Sequence, residues 1–273
     1  MSNQVQDRVE KLAGKGDHPG EVRMSFGEHI EELRGRLVKS IAFLLIAIVV
    51  SMVFYTELVT FITGPHIRAM KLLKVPEAES KLMPGSYGGP IIAVMKLSFI
   101  VSMFVSSPFI GYQMWAFVAA GLYPHEKKYV QIFAPISFAL FSAGCAFGFF
   151  VLVPYCLYGL ANSMSIGSIL SNQYIFSDYL SLVMTLTIIL GGVFQLPLLM
   201  VFAAKLGLVQ PSNYNKFRRA AIVANLVFAA VVTPADIFTM ILVAVPMLIL
   251  YEIGVVVSFL VARPRKKPEP AKP

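Results

Sequence analysis

The chain has 273 residues, of which 57% are hydrophobic and 14% charged, and its mean hydropathy is +0.72. Soluble domains average about 45–50% apolar and about 25% charged residues, so this chain has too few polar groups to cover a globular surface in water. The composition excludes a soluble globular enzyme. It indicates a polytopic membrane protein with one integral domain and polar tails.

The two ends of the chain are polar. Residues 1–24 contain no apolar run, so we expect a disordered cytoplasmic tail and no cleavable signal peptide. Residues 263–273 are basic and rich in proline, which predicts a second disordered tail. The membrane domain is therefore expected to occupy residues 25–262.

Five apolar segments are long enough to span a bilayer, which takes about 20 residues. They are Val38–Ile62, Ile91–Val118, Tyr129–Leu160, Tyr179–Leu206 and Ile237–Val261. A sixth segment, Ala220–Val232, covers only about 20 Å at the helical rise. One basic cluster precedes this segment, and another follows the last apolar segment. Both clusters can lie on the same side of the membrane only if the chain crosses it twice between them. We therefore predict an all-α membrane protein with six spans, of which the fifth and sixth are short.

The basic residues give the expected orientation. With the N terminus inside, 18 of the 23 lysines and arginines lie on the inner side and four on the outer side, while Lys96 lies within the second span. Cytoplasmic loops of membrane proteins collect such residues, so both termini are expected in the cytoplasm. The formal charge of +8 is thus explained without nucleic acid as a partner. The outer loop 63–90 is long enough to carry structure of its own.

Prolines within the spans predict bends, because proline removes a backbone hydrogen bond. They are Pro108, Pro135, Pro154, Pro197 and Pro246. The bends are either ordinary kinks or the sign of a concave bundle that cradles a ligand. No internal repeat is visible, which disfavours a two-halved transporter. The single tryptophan, Trp115, lies near the inner end of the second span and is predicted to be an interface anchor.

Acidic residues on the basic inner face are the first candidate site. Ser25 and Glu28 fit a capping box at the start of an amphipathic helix, whose apolar stripe would lie on the membrane surface or against the bundle. Glu32 either pairs with Arg36 one turn later or, together with Glu126 of the loop after the second span, forms an acidic pair. The alternative for Glu126 is a solvated loop charge. Such a pair suits a cationic ligand, and a guanidinium fits a carboxylate best.

Polar residues inside the spans are the second candidate group. Gln113, Gln195 and Glu252 lie within apolar segments, where polar groups are costly and are functional candidates. They act either in function or in hydrogen bonds between helices. Asp236 lies at the predicted outer turn, where it can also cap the sixth span.

Several chemistries have no sequence signal. There is no Walker loop, no Gly-x-Ser-x-Gly nucleophile, and no metal-ligand spacing among the four histidines. We therefore expect no cofactor, no metal and no enzymatic activity.

Four stretches in order resemble the TatC family, the six-span subunit of the twin-arginine protein translocase. They are Phe26-Gly27-Glu28-His29-Ile30-Glu31-Glu32-Leu33-Arg34-Gly35-Arg36-Leu37; Pro108 to Lys128 with Tyr112-Gln113-Met114-Trp115-Ala116-Phe117 and Gly121-Leu122-Tyr123-x-x-Glu126; Phe194-Gln195-Leu196-Pro197; and Thr233-Pro234-Ala235-Asp236 to Tyr251-Glu252. The resemblance covers about residues 24–262 and implies a bacterial cytoplasmic (inner) membrane protein that exports folded proteins, driven by the proton-motive force.

The resemblance also implies roles for residues. Glu32 and Glu126 match the family's two glutamates that recognise the consecutive arginines of a signal peptide at the cytoplasmic face. Phe117 matches a position needed for function in the family. Glu28 belongs to the same amino-terminal stretch as Glu32. Gln195 stands where the family has a glutamate thought to contact the TatA and TatB partner helices, so a titratable group is missing there.

Two further acids also match positions of the family. Asp236 corresponds to an acid of the periplasmic turn and Glu252 to an acid of the sixth span. The resemblance implies an oligomeric complex with TatA- and TatB-like single-span proteins in a lipid bilayer. The alternative is a secondary transporter or channel for a small cationic solute, which would use Glu252, Gln195 and Lys96 within the membrane.

Overall fold

The computed structural model describes residues 26–76, 80–123, 126–163, 174–233 and 237–262. Within these ranges the chain forms eleven α-helices and one π-helical turn, and it forms no strand. The helices are α1 (Phe26–Val53), α2 (Tyr55–Ile62), α3 (Gly64–Leu72), α4 (Gly89–Ala120), α5 (Lys127–Phe147), α6 (Val153–Ser163), α7 (Phe176–Val193), α8 (Leu196–Lys205), α9 (Pro211–Lys216), α10 (Arg218–Val232) and α11 (Ile237–Val261), with the π turn at Gly148–Leu152 between α5 and α6.

Five helical segments of the described chain are long and apolar enough to cross a membrane. They are Gly27–Val53, Gly89–Ala120, Lys127–Ala161, Phe176–Lys205 and Ile237–Val261. These segments confirm the five long predicted spans. The prediction that the sixth span is short is wrong, because α11 has 25 residues and its apolar run continues as helix through Pro246. The predicted fifth span corresponds to α10, which has 15 residues.

The first span begins earlier than predicted. The amphipathic segment and the first span form one continuous helix, α1, which breaks at Phe54 before α2. Ile30, Leu33 and Leu37 are 51%, 44% and 55% exposed, so the apolar stripe does not pack against the bundle. Further along, α1 packs on α4, where the rings of Phe43 and Phe109 stack with 4.6 Å between centroids. Ser25 of the predicted capping box lies outside the described residues.

Two of the prolines interrupt regular helices and three do not. Pro154 follows the π turn Gly148–Leu152, and Pro197 follows the break at Phe194 and Gln195 between α7 and α8. Pro108, Pro135 and Pro246 remain inside α4, α5 and α11. Proline cannot donate to the preceding turn, so a widened turn or a break before it is the expected response.

The core lies where α5 and α7 approach closely. Side chains of α7 such as Leu180, Val183 and Leu186 are fully buried. Gly144 of α5 makes the approach possible, because a Cβ there would lie 2.8 Å from the backbone oxygen of Leu190. Small residues let membrane helices approach closely, since van der Waals contact drives their association.

A second, aromatic cluster joins α4, α5 and α8. Trp115 stacks on Phe133 at 5.7 Å and meets the edge of Phe202 at 5.0 Å, between ring centroids. Trp115 is only 2% exposed, so the prediction that it is an interface anchor is wrong. Its position in the sequence near the end of a span does not distinguish a residue at the lipid interface from one at a helix contact.

The long loop before α4 carries structure, as its length predicts. Its helix α3 holds the buried His66, whose Nε2 donates to the carbonyl oxygen of Ser80 at 2.7 Å. Tyr179 of α7 donates its hydroxyl hydrogen to the carbonyl oxygen of Ile62. The backbone of Met83 bonds to Tyr174 and Phe176, at 2.7 and 2.8 Å, in a parallel bridge. We refer to this assembly of residues 62–76, 80–83 and 174–179 as the cap.

The glycine contact between α5 and α7 is testable by a matched pair of substitutions. Gly144→Ala places a Cβ against a backbone atom that cannot move freely, so the free energy of unfolding is expected to fall by about 1–3 kcal/mol. Gly192→Ala is the control, because nothing lies within 4 Å of its Cβ position and alanine favours helix. Thermal unfolding of both variants in detergent gives the comparison, and equal melting temperatures would contradict the packing argument.

The buried His66 predicts acid sensitivity of the cap. Burial lowers the pKa of His66 below its ordinary value of 6.5, against the opposing effect of the bond to Ser80. The unfolded chain therefore takes up this proton at a higher pH than the folded chain does. The stabilisation is complete above about pH 6.5 and declines as the pH falls below that value. The melting temperature of His66→Gln should depend less on pH between 7.5 and 5 than that of the unchanged protein.

Candidate functional site

The first turns of α1 lie against the end of α4 and the loop that follows it. The rings of His29 and Phe117 stack with 4.4 Å between centroids and 19° between planes. A Cβ on Gly121 would lie 3.2 Å from His29 Cε1, so glycine permits this contact at the beginning of the loop. Aromatic stacking of this kind is worth about 0.5–1.5 kcal/mol beyond the burial of area. The contacts fix the start of α1 beside the loop that leads to Glu126.

Glu32 is held by a guanidinium of its own helix. Arg36 donates from Nε to Glu32 Oε1 at 2.8 Å and makes a second, ion-paired contact from Nη2 to the same oxygen. Arg36 also donates from Nη1 to Gln113 Oε1 of α4 at 3.2 Å. The side chains of Arg36 and Glu32 remain 24% and 34% exposed. The ion pair that the sequence offered as the alternative for Glu32 is therefore present, and α4 contributes to it.

Glu126 lies in a hydrogen-bonded turn just before α5. Its backbone N–H donates to the carbonyl oxygen of Tyr123 at 2.9 Å, and the N–H of Tyr123 donates to Glu126 Oε2 at 3.4 Å. The side chain is half-buried. Glu28 is exposed in the first turn of α1, one turn before Glu32. The proposed binding residues thus lie on segments that meet at one end of α4.

Gln113 is also joined to this group, and its expected role as an intramembrane polar residue that serves partner helices stays a prediction. It is buried on α4 and accepts from Arg36, which places it in the Glu32 network. His29 is a contact residue that the sequence did not single out. Its partner is 88 positions away, and no local pattern links two residues at that separation.

Two other polar side chains, Gln195 and Lys96, find partners within the chain. Gln195 accepts from Ser137 Oγ and donates to the carbonyl oxygen of Ser137, both at 2.8 Å, which joins the start of α8 to α5. Lys96 Nζ donates to Ser177 O at 3.2 Å, Ser177 Oγ at 3.0 Å and Ser181 Oγ at 2.7 Å, which joins α4 to α7.

Glu252 is not an isolated acid within the membrane. Arg218, the first residue of α10, donates from Nη2 to Glu252 Oε2 of α11 at 2.7 Å, and both side chains are partly exposed. Nearby, Tyr251 donates to the carbonyl oxygen of Tyr214 at 2.7 Å. These contacts fasten α9 and the beginning of α10 to α11. Asp236 lies outside the described residues.

No metal centre is formed in the described ranges, since no three His, Cys, Asp or Glu side chains come together there. What the site offers instead is a carboxylate that already accepts two N–H groups of a guanidinium. Hydrogen bonds between such charged partners are about twice as strong as those between neutral groups. The arrangement is suited to binding a cationic side chain.

The His29–Phe117 stack is expected to hold the first turns of α1 in place. Phe117→Ala should speed amide hydrogen exchange in residues 28–36 by about two- to tenfold, the equivalent of one aromatic pair. Phe117→Tyr retains the ring and should leave this exchange close to that of the unchanged protein. Equal exchange in all three proteins, measured by mass spectrometry in detergent, would show that the stack does not order the segment.

Comparison with known proteins agrees with this architecture. The family model described as Sec-independent protein translocase protein (TatC) matches residues 28–246. The TatC protein of Halalkalibacterium halodurans is 33% identical over 249 residues, which cover 90% of this chain and 93% of that protein. TatC of Escherichia coli K12 is 33% identical over 242 residues, covering 88% and 91%. TatC of Halothiobacillus neapolitanus is 34% identical over 84% of this chain, which spans only 61% of that relative's length.

A solved structure agrees as well. The crystal structure of the twin-arginine translocase receptor TatC superposes with a TM-score of 0.74 at 30% identity, covering 86% of this chain and all of that chain. These similarities confirm the resemblance found in the sequence, and with it a multi-pass membrane protein that takes part in protein transport and is not an enzyme. The chain belongs to the TatC family of Sec-independent protein translocase proteins.

Proposed function

We propose that this translocase subunit is the receptor that binds the consecutive arginines of signal peptides on folded cargo. Glu32 and Glu126 are the carboxylates that receive the two guanidinium groups, with Phe117 and Glu28 at the edge of the same site. The observation that carries the proposal is the contact of Glu32 with Arg36, because this carboxylate already accepts two N–H groups of a guanidinium. A planar guanidinium suits a carboxylate better than a lysine ammonium does.

The proposed topology has six spans with both termini in the cytoplasm of a bacterium. Its support is the distribution of basic residues, 18 on the inner side against four on the outer side. The short α10 is the fifth span, and the receptor site then faces the cytoplasm, where signal peptides arrive. The two predicted tails, residues 1–24 and 263–273, lie outside the described residues.

A concave face of the bundle is proposed to hold the signal peptide and the TatA- and TatB-like partner helices. Gln195, Glu252 and Asp236 are the polar residues assigned to it. The exposed apolar side of α10 supports a surface that meets other helices in lipid, since Val223, Val227 and Val231 lie largely uncovered. The complex is proposed to be oligomeric and to draw on the proton-motive force. Gln195 contributes hydrogen bonds there and no titrating group.

A secondary transporter for a small cation is the competing function. It would need polar groups within the spans that are available to a solute. Gln195 is bonded to Ser137, Lys96 to Ser177 and Ser181, and Glu252 to Arg218. These internal partners disfavour a path for a solute along the three side chains. Solute uptake by the purified protein alone in liposomes would instead favour the transporter.

Neutral replacements of the two glutamates test the receptor site. Glu32→Gln and Glu126→Gln should each weaken binding of a twin-arginine peptide about tenfold or more, because a charge-assisted hydrogen bond is worth about 1.5–3 kcal/mol. Export of a folded twin-arginine reporter should fall in parallel in cells. Glu31→Gln is the matched control, an exposed acid on the same helix. Unimpaired export in both site variants at normal protein levels would refute the site.

A further inference from the structure

We propose that Arg36 is a built-in competitor for the Glu32 carboxylate, which lowers the affinity of the site for every cationic peptide by a common factor. The inference rests on the proposed function, because it concerns ligands of the same carboxylate. In the unliganded protein Arg36 occupies the position that an arginine of the peptide would take. Binding is then an exchange of one guanidinium for another.

The geometry shows that Arg36 is engaged on both sides. Its Nε and Nη2 contact one oxygen of Glu32, while Nη1 donates at 3.2 Å to Gln113. Gln113 is buried on α4, so its amide oxygen is a fixed anchor on a different helix. Arg36 therefore keeps one hydrogen bond when a ligand takes Glu32, and it need not leave the site.

The exposure of the pair makes the exchange possible. Both side chains are partly open to water, at 24% and 34%, so a peptide can reach Glu32 without burying or uncovering an isolated charge. An ion pair of this exposure is weak enough to break thermally. A buried pair would instead hold Glu32 permanently, since its rupture leaves an uncompensated charge.

The thermodynamics give this competitor a distinctive signature. When the competent state, with Glu32 released from Arg36, is a minor fraction of the molecules, the apparent dissociation constant rises by the inverse of that fraction. The factor is a property of the protein, so it is the same for peptides that carry two arginines and for peptides that carry two lysines. Preference between the two peptides is set by their own contacts. Arg36 sets the level of affinity at which both bind.

The experiment uses the full-length protein in nanodiscs of phosphatidylcholine and phosphatidylglycerol, titrated with fluorescent Arg-Arg and Lys-Lys peptides. Arg36→Gln should tighten binding of both peptides by the same factor, about three- to tenfold. Arg34→Gln is the matched control, since Arg34 is exposed on the same helix and its loss removes the same charge. The gain with Arg34→Gln should be smaller and should vanish at high salt.

A double substitution separates competition from a general charge effect. In a Glu32→Gln background, Arg36→Gln should give no further gain, because the contested carboxylate is gone. Arg36→Lys retains the charge but not the fork of N–H groups, and it should give an intermediate gain. This variant also serves if Arg36→Gln does not fold.

Each result has a defined reading. Weaker binding with Arg36→Gln, or a gain that persists in the Glu32→Gln background, would overturn the proposal. If Glu32→Gln weakens peptide binding and Arg36→Gln or Arg36→Lys leaves it unchanged, the receptor site stands and only the competitor is refuted. If the unchanged protein binds neither peptide, the proposed function fails first.

Discussion

A polar side chain between apolar helices must find its partners within the protein, because hydrocarbon offers no hydrogen bonds. This constraint organises the structure more than any single apolar contact does. Lys96 joins α4 to α7, Gln195 joins α8 to α5, and Glu252 joins α11 to α10. Each of these three side chains is a link between two helices. Apolar packing fills the space between these links, and the links fix which helices are neighbours.

At the charged site near the end of α4, polar groups also pair with each other, but water reaches them. Glu32 and Arg36 remain partly exposed, so water shares in solvating both charges and the pair is weak. The His29–Phe117 stack supplies the order that this ion pair does not. A rigid frame with an exchangeable charge contact is what a receptor needs if it must both recognise and release its ligand.

The sequence predicts most of the fold, because the lengths of apolar runs specify long helices almost without tertiary information. Five spans and the structured outer loop follow from these lengths. The continuity of α1 does not follow, since polar residues at a helix end are compatible with either a break or a continuation. The prediction for Trp115 is wrong because the position of a residue along a span does not show whether its side chain faces lipid or another helix.

The candidate site is partly visible in the sequence for similar reasons. The pairing of Glu32 with Arg36 is a local, one-turn relation and can be read directly. Gln113 and His29 enter through contacts between helices that are far apart in sequence, and only the packing of α1 on α4 brings them together. The charges thus carry a sequence signal, whereas the contacts that position them do not.

The cap has a consequence for the order in which the chain is assembled. Its hydrogen bonds join Met83 to Tyr174 and Phe176, and Ile62 to Tyr179, across 117 positions in the last case. A ribosome makes the residues on one side of these bonds long before those on the other. The cap therefore cannot close until α4, α5 and α6 have been synthesised and α7 has begun, whereas α1 and α4 can pair earlier. The segment before α4 therefore forms its bonds to Tyr174, Phe176 and Tyr179 only after the start of α7 has been synthesised.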